Sequence, residues 1–234
     1  MRLIIGLIII LGILPGCKSP SIIQKTILAE IPIQYYSKSI VLVDAGDVYT
    51  PGLAITKKRE EVVTEIRKTY FSTYLPDILK KDLGIAVFTD SSLTEGEKAL
   101  LIQNDNNIRS KIMERYKANI IIILQNYEGG FSQDYIDRSR NTDGSVDKRA
   151  TYSVFFNTNL TIIQGEQLYR KRITASRYHS QRQVLSGLLA RGPGYEANKK
   201  DIAAMANRNA SHVSGLFRDR KGVVDGRGEF VEVK

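Results

Sequence analysis

The sequence predicts a domain of α/β (α+β) class: a βαβαβ start, then an antiparallel hairpin, then a C-terminal helix, with a mixed sheet packed against helices. Three observations carry this expectation. Short, nearly continuous apolar runs recur at residues 39–44 (SIVLVD), 85–88 (IAVF) and 119–125 (NIIIILQ), separated by segments of helical period. Such runs suit parallel strands covered on both faces. Residues 150–162 alternate apolar with polar, as a strand with one wet face does, and residues 199–217 return to the helical period.

Residues 3–14 (LIIGLIIILGIL) are apolar throughout. As a helix they would reach about 18 Å, short of the roughly 30 Å hydrocarbon core, so the run is expected to be a signal-peptide core and not a span. It leads directly into Leu14-Pro15-Gly16-Cys17, which holds the only cysteine. This tetrapeptide resembles the lipobox of bacterial lipoproteins, with Pro15 where that pattern prefers a small residue. The resemblance implies cleavage before Cys17, a diacylglycerol on its sulfur and acylation of the new amine. Each buried acyl CH₂ contributes about 0.8 kcal/mol, so several chains on one residue would anchor the protein durably in a membrane. Lys18 follows the cysteine, not the Asp of inner-membrane retention, and the resemblance therefore implies the outer membrane of a double-membrane bacterium. Residues 1–16 are expected to be removed and 17–38 to form a lipidated tether with one edge strand near 31–35. A single domain over 39–220 and a tail or edge strand over 221–234 complete the expected organisation.

Within the domain, Val62, Val63, Ile66 and Tyr70 mark a helix over 57–74, which Pro76 ends or kinks. Gly84 suits a C-cap before the buried strand at 85–88. Ser92 with Glu95 forms a capping-box pattern, and Ile108, Ile112, Met113 and Tyr116 form the apolar stripe of the next helix. Strand, helix, strand, helix, strand is the rhythm of right-handed parallel crossovers. Tyr152, Val154, Phe156, Leu160 and Ile162 then share one strand face. Gln164-Gly165 offers a tight turn, and 167–178 returns as a basic strand. Ile202, Ala203, Ala206, Ala210, Val213, Leu216 and Phe217 stripe the closing helix.

The lipobox, the βαβαβ start, the YKAN joint at 116–119, the hairpin and the closing helix together resemble the small α/β domain of certain envelope lipoproteins. These include the curli-secretion lipoprotein, the outer-membrane activators of penicillin-binding proteins and the N-terminal domain of the Tol-Pal translocation protein. A family of uncharacterised bacterial lipoproteins has the same layout. The resemblance covers roughly residues 17 to 220. It implies a non-enzymatic envelope module working through protein or polymer contacts, with no catalytic residue and no cofactor to carry over. No segment shows paired strands of alternating lipid-facing residues flanked by aromatics, which argues against a pore.

Chemistry-bearing residues are few. His179 and His212 are the only histidines, so a zinc site would lack ligands and no metal is expected. Asp44, Asp47, Asp90, Ser91 and Ser92 fall at the carboxyl ends of the first strands, where α/β ligands sit, but no glycine-rich phosphate loop accompanies them. Asn141, Asp143 and Gly144 echo the middle of a calcium loop, yet Ser139 and Ala150 occupy positions that need Asp and Glu; residues 128–149 read as a polar hairpin loop. Net charge is +9. Residues 17–150 carry 19 basic and 18 acidic side chains, residues 151–234 carry 14 and 7. Arg170, Lys171, Arg172, Arg177, Arg182 and Arg191 are the candidate polyanion-binding strip, with Arg170 and Arg172 on one strand face and Lys171 on the other. Nucleic acid is not an expected partner of an exported lipoprotein. Two readings stand: a module that docks on an envelope protein or on its own copies, and a binder of an anionic glycan or lipid headgroup.

Overall fold

The computed structural model describes residues 23–33, 39–50, 57–140, 142, 144, 146–179, 194–224 and 230–233. Cys17, Arg182 and Arg191 lie outside these residues. The chain divides into two compact units, one of residues 30–218 and one of residues 1–29 with 219–234.

The larger unit carries a mixed five-stranded sheet. Its elements in chain order, after β1 of the smaller unit (Ile23–Ile27), are β2 (Ser39–Tyr49), α1 (Lys57–Thr69), a π turn (Tyr70–Tyr74), α2 (Leu75–Leu83), β3 (Ala86–Asp90), α3 (Glu95–Ile102), α4 (Asn106–Tyr116), β4 (Ile120–Arg140), β5 (Val146–Gln164), β6 (Gln167–His179) and α5 (Lys199–Ser214). Strand order is β3-β2-β4-β5-β6. The first three run parallel, and β5 and β6 are antiparallel additions.

The alternation of β2 and β4 splits the core in two. Ile40, Leu42, Ile120, Ile122 and Leu124 face α1, α2 and α5 together with Val154, Phe156, Leu160 and Ile162 of β5. Val41, Val43, Ile121 and Ile123 face α3 and α4 through Leu101 and Ile112. Each side chain fully buried in this way contributes on the order of 1.5–3 kcal/mol, and Thr158, the polar residue between Phe156 and Leu160, is hydrogen-bonded. The second helical layer contacts β2, and its cluster reaches Ile163 at the end of β5; Ser153, Phe155, Asn157 and Asn159 on the same face of β5 are half-buried, and Arg170, Arg172, Thr174 and Ser176 of β6 are exposed.

Several elements depart from the expectations. Pro76 does not end the first helix. It has no N–H and crowds the carbonyl four residues back, and the helix widens into the π turn just before it, then continues as α2 to Gly84 in the left-handed region (φ 67°). The capping box is Thr94 with Glu97, not Ser92 with Glu95: Glu97 N–H donates to the Thr94 hydroxyl at 3.3 Å, and Thr94 N–H to Glu97 Oε2 at 2.9 Å. Ser92 is already committed to Asp90. The helix expected before Ala118 has a separate helix ahead of it, with Asn104 at φ 65° between them and Asp105 as a second N-cap. β3 is an edge strand with Phe88 41% exposed, not a fully covered one.

Residues 128–149, expected to be a loop, are mostly strand: β4 and β5 pair from Ile120 with Gln164 out to Arg140 with Val146. β2 leaves β4 at Glu128 and β6 leaves β5 at Tyr152, so the last part of the hairpin is a two-stranded ribbon. Gly165, at φ 59°, opens the two-residue turn between β5 and β6.

In the smaller unit β1 pairs antiparallel with β7 (Arg220–Val224), which pairs with β8 (Phe230–Glu232). Within the expected tether a strand lies at 23–27; residues 31–33 are not strand, residues 34 and 35 lie outside the described residues, and the C-terminal stretch supplies strands. Ala29 N–H donates to Asp219 at 2.8 Å. Among the described residues no helix is long and apolar enough to cross a membrane.

Candidate functional site

The basic residues of β6 sit where alternation puts them. Arg170 and Arg172 lie on the open sheet face, whereas Lys171 and Arg177 share the helix-side face with Tyr169, Ile173 and Ala175. Their charges are largely answered within the fold. Lys171 Nζ meets Glu30 Oε1 at 2.7 Å, Arg172 meets Glu128 Oε2 at 2.7 Å, and Arg177 pairs with Asp201 at the start of α5. Arg170 is exposed and has no carboxylate partner among the described residues. Of the four members of the expected strip among the described residues, three are in internal ion pairs and Arg170 is not.

The open face beside Arg172 holds a shallow depression of about 400 Å³, lined by Glu128 and Ser132 of β4, Ser153, Phe155 and Asn157 of β5, and Arg172, Thr174 and Ser176 of β6. Glu128 anchors its rim: Asn157 Nδ2 donates to Glu128 Oε2 at 3.2 Å, on the oxygen that Arg172 also uses. Sequence reasoning missed this group, whose members come from three strands with no local motif; the only available signal was the polar run on alternate residues of β5.

The carboxyl edge of the parallel strands does not form the expected acidic cluster. Asp44 and Asp90 are at adjacent register positions but turn to opposite faces of the sheet. Asp44 receives Arg67 Nε at 3.1 Å, the Tyr127 hydroxyl at 3.0 Å and Gly46 N–H at 3.2 Å, with the Arg67 guanidinium over the Tyr127 ring. Burial, reinforced by the Asp44 charge, pushes the Tyr127 hydroxyl well above its ordinary range. Asp90 is buried, accepts Ser92 N–H at 2.8 Å and the Ser92 hydroxyl at 2.7 Å, and meets Arg115 at 3.4 Å. These are turn and helix-docking contacts.

Asn209 of α5, fully buried, makes the most complete polar network. Its Oδ1 accepts the Tyr70 hydroxyl at 2.8 Å and the Thr158 hydroxyl at 3.0 Å, and its Nδ2 donates to the Phe156 and Ile173 carbonyls at 3.2 and 2.9 Å. Burial raises the Tyr70 hydroxyl far above its usual value. The network ties α5 to β5, β6 and the π turn, and its full satisfaction marks it as structural.

The two histidines are apart. His179 ends β6, 3.7 Å from Asp201 and edge-on to Phe131, which in turn meets Tyr195 edge-on. His212 Nδ1 donates to the Thr174 carbonyl at 2.9 Å. Among the described residues no group of three or more His, Cys, Asp or Glu is placed to hold a metal ion.

No family model and no curated protein matches the chain. Solved structures show weak similarity over most of the chain. A chain described as a homolog of the neuraminyllactose-binding hemagglutinin from Helicobacter pylori is 13% identical with a TM-score of 0.41, over 80% of this chain and 87% of that one. A PelC dodecamer subunit from Paraburkholderia phytofirmans is 11% identical with a TM-score of 0.35, over 84% and 98%. A minor lipoprotein from Acinetobacter baumannii is 9% identical with a TM-score of 0.30, over 76% and 90%. Likeness at this level carries no argument about activity.

Proposed function

We propose that this chain is a lipid-anchored lipoprotein of the cell envelope, held at the outer membrane by acyl chains on Cys17. Its folded part serves as a non-enzymatic module that docks on an envelope protein or on further copies of itself. The observation that carries the reading is Leu14-Pro15-Gly16-Cys17 placed directly after the apolar run of residues 3–14. The internal pairing of Lys171, Arg172 and Arg177 supports docking by shape over capture of a polyanion, because a polyanion would have to displace carboxylates already in place.

Expression of the full-length chain in a double-membrane bacterium fed labelled palmitate tests the anchor. Label is expected on the wild-type chain and not on Cys17→Ser, and mass spectrometry of the mature N-terminus should find Cys17 first and acylated. A mature chain that begins elsewhere, or carries no lipid, overturns the reading. The docking role is tested by capture from detergent-solubilised envelopes: a partner retained at high salt is expected. A partner lost with rising salt and in the Arg170→Glu, Arg172→Glu double variant would transfer the role to an anionic polymer or headgroup.

A further inference from the structure

The depression on the open face of β4, β5 and β6 has a shape that the register explains. Gly130 lies opposite Phe155 on the neighbouring strand, between Glu128 and Ser132, which share its sheet face. Gly130 is held at φ +143°, and a Cβ built there would project toward the helix-side cluster, within 2.0 Å of the Tyr195 hydroxyl, so position 130 places no side chain beside Phe155 on this face. Phe155 pairs on its other side with Ser176, and Asn157 with Thr174. One aromatic ring therefore stands in a bed of small residues, with the planar polar groups of Glu128, Asn157 and Arg172 along one side.

We propose that this depression is a binding site for an uncharged saccharide, one ring of which stacks its C–H face on Phe155 while its hydroxyls bond Glu128, Asn157 and Arg172. Three features select that chemistry. The Glu128 side chain is only 25% exposed, yet both of its bonds end on Oε2, leaving Oε1 without a protein partner among the described residues. A carboxylate oxygen in that position is a strong acceptor for a hydroxyl. Arg172 is 56% exposed and uses one nitrogen on Glu128, so further N–H donors lie beside the acceptor. The Glu128 and Arg172 charges offset one another across 2.7 Å, so this pair presents an acceptor beside donors, the arrangement that vicinal hydroxyls match. The volume, about 400 Å³, falls in the range of roughly 300–1,000 Å³ typical of small-molecule sites. The proposal rests on this sheet face and not on the anchor, so loss of lipidation would leave it standing.

Saturation-transfer NMR on the full chain in detergent, with lactose, cellobiose and N,N′-diacetylchitobiose as probes, tests it. Transfer to ring C–H protons of at least one disaccharide is expected, unchanged between about 50 and about 500 mM salt. Glu128→Gln, which preserves shape, should weaken affinity about tenfold, and Phe155→Ala should abolish transfer, with far-UV circular dichroism and melting unchanged for the former. No transfer to any of the three probes overturns the proposal. So does transfer of wild-type strength in both variants, or transfer that vanishes as salt rises, which would reassign the depression to an anion.

Discussion

At the scale of single residues, the burial of Asn209 is compensated bond for bond. Replacing it with Leu would remove a partner from each of the Tyr70 and Thr158 hydroxyls and from two backbone carbonyls in the core. A loss of about 2–4 kcal/mol is expected, measured as a lower midpoint in urea with an unchanged slope. The same core sets the alkaline limit. Tyr70 and Tyr127 both have hydroxyls raised by burial, so the unfolded chain releases these protons first as pH climbs. Their contribution is complete below the unfolded value of about 10 and is lost progressively above it, so stability should fall as pH rises past that point. Tyr70→Phe should flatten the decline in a pH series of thermal melts. Cation positions on β6 were legible from alternation alone. Their neutralisation was not, because Glu30, Glu128 and Asp201 stand 141, 44 and 24 residues from the cations they meet.

At the scale of elements, legibility followed the strength of the apolar contrast. The runs at 39–44 and 119–125 announced β2 and β4 because both faces of each strand are buried. The outer half of the β4–β5 hairpin did not announce itself, since beyond Glu128 and Tyr152 the pairing with β2 and β6 stops and the sequence carries no apolar run. Two S/T-x-x-E patterns two residues apart were equivalent in sequence; Asp90 decided between them by taking Ser92. Thr94→Ala should accordingly cost about 1 kcal/mol, read by chemical denaturation, while Ser91→Ala, an exposed neighbour, should cost almost nothing. Gly130→Ala is the sharper test of β4: with its strained φ and the Tyr195 contact, a loss of roughly 1–3 kcal/mol is expected, and Tyr195→Phe should relieve only the steric part.

At the scale of the whole molecule, the two units have unequal means of holding themselves together. The sheet of residues 30–218 is packed by two hydrophobic clusters, while that of β1, β7 and β8 has strands of five, five and three residues. Amide exchange is therefore expected to be slowest at 121–123 in β4 and faster by orders of magnitude across 23–27 and 220–224. Exchange of equal slowness in both would show that the smaller sheet draws on support its own strands do not supply. The fold class was readable because the parallel strands and the closing helix have strong patterns. The smaller sheet was not, because its three short strands come from opposite ends of the chain.

The outer position of β6 has a consequence for a protein crowded against its own kind. Among the described residues no strand pairs with the far side of β6; such a strand margin is a template for stacking, and a thirteen-residue one invites it. Antiparallel approach of two such margins would bring arginines and a lysine from one molecule against those of the other. Three of these cations already face carboxylates of their own molecule, so the like-charge cost of such stacking falls on Arg170, and a single charge at that margin is what dense packing on a surface would have to overcome.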